Sequence, residues 1–498
     1  MPQDNVYPII YVRGYAMTPG EVADAVDKPH MGFNLGATRV RQSWDGKVQK
    51  QIFESPLVRL MKDYGYTDAF SEGAELDRSI GLKTVVIYRY YDQADKEFGD
   101  GDALSIMAAA RRLGKLVENI RKDLVGNQVV SDSEFRVHLV AHSMGGLIVR
   151  CLLQNESVAS GRVRSSIARV FTYATPHNGI DMIGLNVPAF LSLWDINNFN
   201  RKVMAQYLGM SGKPRSVNSL EGKFEPDDFF CLVGTNHKDY EAAGGLSRRL
   251  AGEMSDGLVA IENATVKGAP RAFVYRSHSG PYGIVNSEEG YQNLVRFLFG
   301  DVRVDGILEV EEVPLPGKVE EARAAGKQVR ASYYFEATVS PRGAGNYRLT
   351  ERRRETFSAV LRKFDEMFRP NELGISAPRS PVLFSTFLDS SRITVERGRT
   401  LVMAVELAVS PTDYLIDGKL WFEDRIPGEY LFRDTIVLRL TPQPDGGWSV
   451  RYILADENQG DGDGRKADQE GESYFIPVSS RKGFKARLEL KLSRRNQS

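Results

Sequence analysis

The sequence predicts an α/β domain on a mostly parallel central sheet, followed by a mainly antiparallel, sandwich-like β domain. Three observations carry this. Up to about residue 300, short apolar runs alternate with amphipathic helix patterns. One of those runs ends in a serine, Ser143, at the point where a helix pattern begins. Beyond residue 303 the chain changes to long stretches that alternate at period two.

The runs of the first domain are Val6–Val12, Thr84–Tyr90, Arg136–Ala141, Ala168–Tyr173, Phe229–Val233 and Ala272–Tyr275. Several are apolar on both faces, as strands of a parallel sheet covered by helices must be. The helices between them carry their own punctuation. Ser55 and Pro56 supply an N-cap and an N1 proline, Leu57, Leu60, Met61 and Tyr64 a stripe, and Gly65 a stop. A second helix is predicted from about Asp102 to Leu124, striped by Ile106, Ala110, Leu113, Val117 and Ile120. A third starts at Ser287, turns Tyr291, Leu294, Val295 and Leu298 inward and stops at Gly300. Two connections are unusually long. One, about 16–52, is Gly-rich and contains Met31, Phe33 and Trp44. The other, about 180–227, carries Leu185, Val187, Phe190, Leu191, Leu193, Trp194 and Phe199, enough apolar bulk for a lid over an acyl-binding cleft.

The period-two stretches are Ala331–Val339, Leu401–Val409, Glu429–Leu440, Trp448–Leu454 and Phe484–Leu492, interrupted by one helix-like segment, Thr356–Phe368. The domains are therefore read as 1–302 and 303–498, with a Pro-, Gly- and charge-rich stretch, Glu311–Gln328, at the junction. Glu457–Glu472 reads as a loop. Its Asp461-Gly-Asp463-Gly resembles part of a calcium loop but lacks the spacing and the closing glutamate, so no metal is expected.

Composition narrows the classes. Of 498 residues 42% are hydrophobic and 26% charged, and 65 basic residues balance 65 acidic ones, so no global field favours nucleic acid as a partner. The two cysteines, Cys151 and Cys231, sit in apolar runs and read as buried thiols. The opening Met-Pro-Gln-Asp-Asn-Val has no basic stretch followed by an apolar core, and no run is long enough to span a bilayer. A cytoplasmic location is the expectation, with signal-independent secretion left open. Oligomeric state is not legible. The C-terminal strand is basic, with Arg481, Lys482, Lys485, Arg487, Lys491, Arg494 and Arg495, a faint pointer to peripheral contact with anionic lipid.

The chemistry starts at Phe135–Leu147. A strand ends in Ala141-His142-Ser143-Met144-Gly145, and Leu147, Ile148, Cys151 and Leu152 then share a helical face. Small residues two before and two after the serine suit a sharp turn, which would expose its hydroxyl and place a free amide at a helix start. A serine nucleophile needs a base, a carboxylate to orient that base, and amides for the oxyanion. There are six histidines. His138 reads as packed within the strand and His142 as structural, while His30 and His237 sit in loops without a supporting pattern. His177 follows the next strand and is placed to line the site. His278 follows the last apolar strand and precedes the final helix, where the base belongs. For the acid, Asp256 in Ser255-Asp256-Gly257-Leu258-Val259 is preferred over Asp239, with a plain Asp-Gly turn as the alternative use of Asp256. The oxyanion amides are read as those of Tyr15, in the loop after the first strand, and of Met144.

Five blocks carry a family resemblance: Pro8-Ile-Ile-Tyr-Val-Arg-Gly14, Ala141-His-Ser-Met-Gly-Gly146, Tyr173-Ala-Thr-Pro-His-Asn-Gly179, Ser255-Asp-Gly-Leu-Val259 and His278. Their order resembles the α/β-hydrolase superfamily, in particular bacterial lipases and PGAP1-like esterases, over roughly residues 5–300. The resemblance maps nucleophile, acid and base onto Ser143, Asp256 and His278. Arg13-Gly14 replaces the family's usual His-Gly, and Ala141 its usual glycine. It implies a cofactor-free serine esterase or lipase that forms an acyl-enzyme, acting on esters of lipids or long acyl chains. The alternatives are an acyltransferase with the same three residues, or a silent hydrolase fold in which the β domain docks a partner. Residues 303–498 resemble no family.

Overall fold

Every apolar run of the first half becomes a strand. The computed structural model describes all residues except 1–5, 15–26, 29, 35, 43, 91, 93–103, 181–198, 213–214, 240–253, 281, 343–346, 369–379, 390–399, 418–422, 445, 457–463 and 496–498. The chain divides into two units, Met1–Phe299 and Gly300–Ser498. The first contains, in order, β1 (Ile9–Val12), β2 (Ala37–Gln42), β3 (Val48–Phe53), α1 (Pro56–Tyr64), β4 (Thr67–Glu72), β5 (Glu75–Leu76), β6 (Thr84–Arg89), α2 (Ile106–Gly126), β7 (Val137–His142), α3 (Gly145–Gln154), α4 (Gly161–Ser165), β8 (Ile167–Tyr173), α5 (Arg201–Tyr207), β9 (Phe229–Gly234), β10 (Arg271–Val274) and α6 (Glu288–Phe299).

Eight of these strands form one sheet in the order β10-β9-β8-β7-β1-β6-β4-β5. All neighbours run parallel except the short β5 against β4. From β1 the chain goes to β4 and β6 on one side of the sheet. From β7 it proceeds through β8, β9 and β10 on the other. The winding thus reverses between β1 and β7, which pair Val12 with Ala141. A parallel sheet opens a ligand crevice beyond the strand ends at such a reversal.

The helix punctuation acts as read. Ser55 Oγ accepts the Val58 amide and Gly65 ends α1 in the left-handed region at φ 71°. Such a cap contributes about 1 kcal/mol. In α2 the cap is Ser105, and Ile106, Leu113, Val117 and Ile120 are buried. In α3 all ten residues are buried. Two elements have no counterpart in the apolar pattern. β4, Thr-Asp-Ala-Phe-Ser-Glu, lies next to the sheet's edge strand. The pair β2–β3 forms a separate two-stranded hairpin inside the 16–52 connection. Cys151 and Cys231 are buried free thiols, and burial pushes Cys151 up to about 12.

The second unit is mainly antiparallel. One sheet orders Val382–Leu388, Val302–Glu312, Lys485–Arg494, Ser473–Ser479 and Asp468–Glu470. Another joins Thr350–Arg352, Ser332–Pro341, Leu401–Pro411, Phe432–Pro442, Trp448–Leu454 and Arg465–Lys466. Side chains of both sheets, among them Val304, Leu308, Phe335, Val405, Leu438 and Leu490, fill one core, which makes the unit a sandwich. Two readings change here. Thr356–Phe368 is not one helix: Val360–Lys363 is a strand paired to the edge of Ser332–Phe335, and only Phe364–Phe368 is helical. Apolar residues at helical spacing lost to ladder hydrogen bonds offered by a free strand edge. The stretch 311–328 holds the end of the strand Val302–Glu312 and a helix, Gly317–Ala324. The basic C-terminal strand meets glutamates: Lys482 pairs with Glu429, Lys485 with Glu312, Arg487 with Glu309 and Lys491 with Glu489.

Among the described residues, no helix is long and apolar enough to cross a membrane, and no cluster of His, Cys, Asp and Glu could hold a metal ion. Asp461 and Asp463 lie outside the described residues.

Candidate active site

Ser143 occupies the turn between β7 and α3 at φ 54°, a left-handed conformation that costs a non-glycine residue about 1–3 kcal/mol. Three hydrogen bonds hold it there. Its amide donates to Tyr173 O at 2.9 Å, and its carbonyl accepts from Thr175 Oγ1 at 2.8 Å and from the Gly146 amide at 3.1 Å. The small residues around it are required by contact. A Cβ on Gly145 would stand 2.1 Å from Val12 O, and one on Gly146 would meet Thr175 Oγ1 at 2.2 Å. The loop leaving β1 approaches just as closely: a Cβ on Gly14 would stand 2.3 Å from Ser143 Cβ and 2.7 Å from Met144 N. The winding reversal between β1 and β7 thus brings the Gly14 backbone directly onto the serine turn.

His278 and Asp256 converge on this turn from distant loops. His278 Nε2 lies 2.9 Å from Ser143 Oγ, and His278 Nδ1 lies 2.9 Å from Asp256 Oδ2. A carboxylate only accepts, so Nδ1 carries the proton and Nε2 is free to accept from the serine hydroxyl. Asp256 is 1% exposed. Its Oδ1 accepts the amides of Leu258 at 3.0 Å and Val259 at 2.8 Å, and its carbonyl accepts the His278 amide at 3.0 Å. The Asp-Gly turn and the carboxylate partner of His278 are therefore one feature, not alternatives, with Gly257 at φ 100°. Asp239 is elsewhere, with Oδ2 accepting from Asn236 Nδ2 at 2.6 Å.

The remaining histidines separate by partner. His142 Nε2 lies 3.0 Å from the carbonyl of His278. A carbonyl cannot donate, so His142 does, and the ring braces the His278 loop from below. Burial, then His278 and Arg13, hold its proton affinity well below the ordinary histidine range, so it stays neutral. His177 does not line the site. It is fully buried, edge-on to Phe229 and hydrogen-bonded to Thr172 Oγ1 at 3.1 Å. From the same block, Thr175 is the residue that touches the serine turn. The sequence marks it only by its place two residues beyond β8, a strand adjoining β7. His30 bonds Asp68 Oδ2 of β4 at 2.9 Å.

Of the oxyanion amides read from the sequence, Met144 is the N-cap of α3, and its amide has no acceptor among the described residues. An unpaired amide at a helix start favours negative charge. Tyr15 lies outside the described residues, as do Leu185, Val187, Phe190, Leu191, Leu193 and Trp194 of the 180–227 connection. The described parts can accept a hydroxyl proton on a buried, oriented imidazole and present an amide beside the serine oxygen.

No family model and no curated protein matches the chain. Solved structures similar to it include the phospholipase PlaB of Legionella pneumophila, at 13% identity and TM-score 0.33, covering 86% of this chain and 94% of that one. Aspergillus fumigatus lipase B is similar at 12% identity and TM-score 0.31, covering 58% of this chain and 51% of that one. The lin2722 product of Listeria innocua is similar at 11% identity and TM-score 0.26, covering 59% and 93%. With a parallel sheet that reverses its winding between β1 and β7, a serine on the strand-to-helix turn at that reversal, and chain order Ser143, Asp256, His278, residues 1–299 have the α/β-hydrolase fold.

Proposed function

We propose that the protein is a serine carboxylic-ester hydrolase, with Ser143 as nucleophile, His278 as general base and acid, and Asp256 as the orienting carboxylate. The observation that supports this most is the continuous chain Ser143 Oγ to His278 Nε2 to Asp256 Oδ2, 2.9 Å at each link and closed to bulk water at its acid end. In the first half-reaction Ser143 Oγ attacks the ester carbonyl carbon while its proton passes to His278 Nε2. The tetrahedral oxyanion forms beside the Met144 amide, with the Tyr15 amide as second donor. Collapse of that intermediate expels the alcohol, which takes the proton from His278. A water, deprotonated by the same nitrogen, then attacks the acyl-enzyme, and collapse of the second intermediate releases the acid while His278 returns the proton to Ser143 Oγ. Asp256 holds the ring in orientation and stabilises the imidazolium.

Long acyl chains, as in lipid esters, are the substrate class this reading favours, because the 180–227 connection supplies seven large apolar residues next in sequence to the site's Thr175 block. The test is a panel of p-nitrophenyl acyl esters of increasing chain length, with Ser143→Ala as control. The expected result is turnover by the wild type that rises with chain length, none by the variant, and covalent fluorophosphonate labelling of the wild type alone. Wild-type turnover matched by Ser143→Ala would refute the assignment.

A further inference from the structure

Large apolar side chains exposed singly on a surface are ordinary. Four of those most exposed here are instead gathered in one hairpin, β2–β3. Trp44 is 99% exposed at its tip, with Ile52 at 69%, Val48 at 64% and Val40 at 54%. The register explains how they add up. Thr38 faces Ile52, Val40 faces Lys50, and Gln42 faces Val48, so Val40, Val48 and Ile52 stand on one face of the ribbon, below the tip that carries Trp44. The ribbon pairs with no other described strand. A two-stranded ribbon gains nothing from leaving its apolar face in water, and isolated hairpins are marginal in water.

The charges of the same segment indicate what covers that face. The chain as a whole is neutral, but residues 37–53 contain Arg39, Arg41, Lys47 and Lys50 against Asp45 alone. Asp45 is already paired with Lys47 at 3.0 Å. A segment that combines an apolar face tipped by tryptophan with surplus positive charge in its sequence matches the boundary of an anionic bilayer, where an indole seats among headgroups and net positive charge is attracted to the surface. The hairpin's base is fixed. Ser55 Oγ donates to Asn34 Oδ1 at 3.0 Å, and Asn286 Nδ2 donates to Gly32 O at 3.0 Å. It also grows out of the connection that leaves Gly14, the residue pressed against the Ser143 turn. The basic C-terminal strand is less suited to the task, because its lysines and Arg487 are taken up by glutamates.

We infer that the β2–β3 hairpin is an interfacial anchor, which inserts Trp44 and the Val40–Val48–Ile52 face into the surface of an anionic phospholipid membrane and so holds the proposed ester site at its substrate. The inference rests on the lipid-ester reading for its purpose, but the binding test stands apart from catalysis. The full chain carrying Ser143→Ala, which leaves lipid intact, is mixed with sedimenting vesicles of phosphatidylcholine alone or with a third of phosphatidylglycerol. Saturable binding to the anionic vesicles is expected, weaker to the neutral ones and weakened by salt. Trp44→Ala and the pair Val48→Ser with Ile52→Ser are each expected to lower vesicle affinity at least about tenfold, because the interfacial burial of a large apolar side chain is lost. These positions are solvent-facing, so the fold should survive, which far-ultraviolet circular dichroism checks. In the otherwise wild-type chain, turnover of a soluble short-chain ester should be unchanged by Trp44→Ala, while turnover of vesicle-borne ester falls with affinity. Equal vesicle binding by Trp44→Ala and its parent would overturn the inference. So would a Trp44-dependent dimer in sedimentation analysis without vesicle binding, which would assign the face to a second copy of the chain. Absence of any ester turnover, with Trp44-dependent vesicle binding intact, would remove the hydrolase reading and leave the anchor standing.

Discussion

One hydrogen atom at position 14 keeps the serine turn in place. The sequence offered Gly14 only as part of a loop after β1, yet its replacement by alanine would push a methyl carbon to 2.3 Å from Ser143 Cβ and 2.7 Å from Met144 N. Neither neighbour can yield, since one is the base of the nucleophile's side chain and the other is backbone. Gly14→Ala is therefore expected to lower kcat/KM for p-nitrophenyl esters by about a hundredfold or more, the scale on which an ångström of misplacement acts. The carboxylates give a second comparison at this scale. Asp256→Asn should reduce kcat by about ten thousandfold, because an amide at that position stabilises the wrong tautomer of His278. Asp239→Asn should leave kcat within about twofold of wild type, because Asp239 bonds Asn236 rather than His278. Equal losses in both would break the assignment of the acid. Ser143, Asp256 and His278 were legible because their types, chain order and places after apolar strands are all sequence properties. Gly14's contact, the His142 brace and the Thr175 bond were not, since each depends on which strands become neighbours.

At the scale of elements, α3 is unusual in being buried all round while carrying an arginine. Arg150 is fully buried with no carboxylate ion pair among the described residues, and burial lowers it to about 10. Its guanidinium donates to Gln154 Oε1 at 2.9 Å, His177 O at 2.7 Å, Val217 O at 2.7 Å and Ser219 O at 2.9 Å. One side chain thus ties the helix behind the serine to both ends of the 180–227 connection. Arg150→Met keeps the bulk but leaves the carbonyls of His177 and Val217 and Gln154 Oε1 without their donor, while Ser219 O keeps Gln154 Nε2; at about 1–3 kcal/mol for each orphaned acceptor, a loss of about 3 kcal/mol or more is expected in urea unfolding. Arg150→Lys should not rescue it, because an ammonium cannot reproduce the planar fork. Which elements could be read follows the same logic of burial. Strands of the sheet's interior announce themselves as apolar runs. β4 does not, because beside the edge it can carry Thr, Asp and Glu. The β2–β3 hairpin has no apolar run either, although Asp45-Gly46 between two alternating segments is a recognised hairpin signal. Val360–Lys363 has helical spacing but a strand's partner.

Over the first unit as a whole, two histidines couple the fold to pH. His142 and His177 are held well below the ordinary histidine range, in each case by burial first. His278 and Arg13 add to the effect at His142, and Arg150 at His177. In the unfolded chain both take up protons near pH 6.5. Below that value, down to the depressed folded values, the unfolded state binds more protons than the native one, so stability rises with pH and is lost on acidification. Each histidine contributes a loss on the order of 1 kcal/mol as the pH falls from 7.5 to 5.5, and the two act in the same direction. Urea midpoints for the first unit's transition should fall over that interval. In His177→Gln, which lies outside the proposed catalytic machinery, the fall should be smaller, whatever the variant's stability at pH 7.5. An unchanged slope in His177→Gln would mean that its imidazole is protonated in the folded state or that it titrates alike in both states. Either result contradicts a ring enclosed beside Phe229 with the Arg150 guanidinium bound to its own carbonyl. The same enclosure makes the direction of the effect robust: acid must open the core to reach either ring, and the core it opens is the one that positions the Ser143 turn.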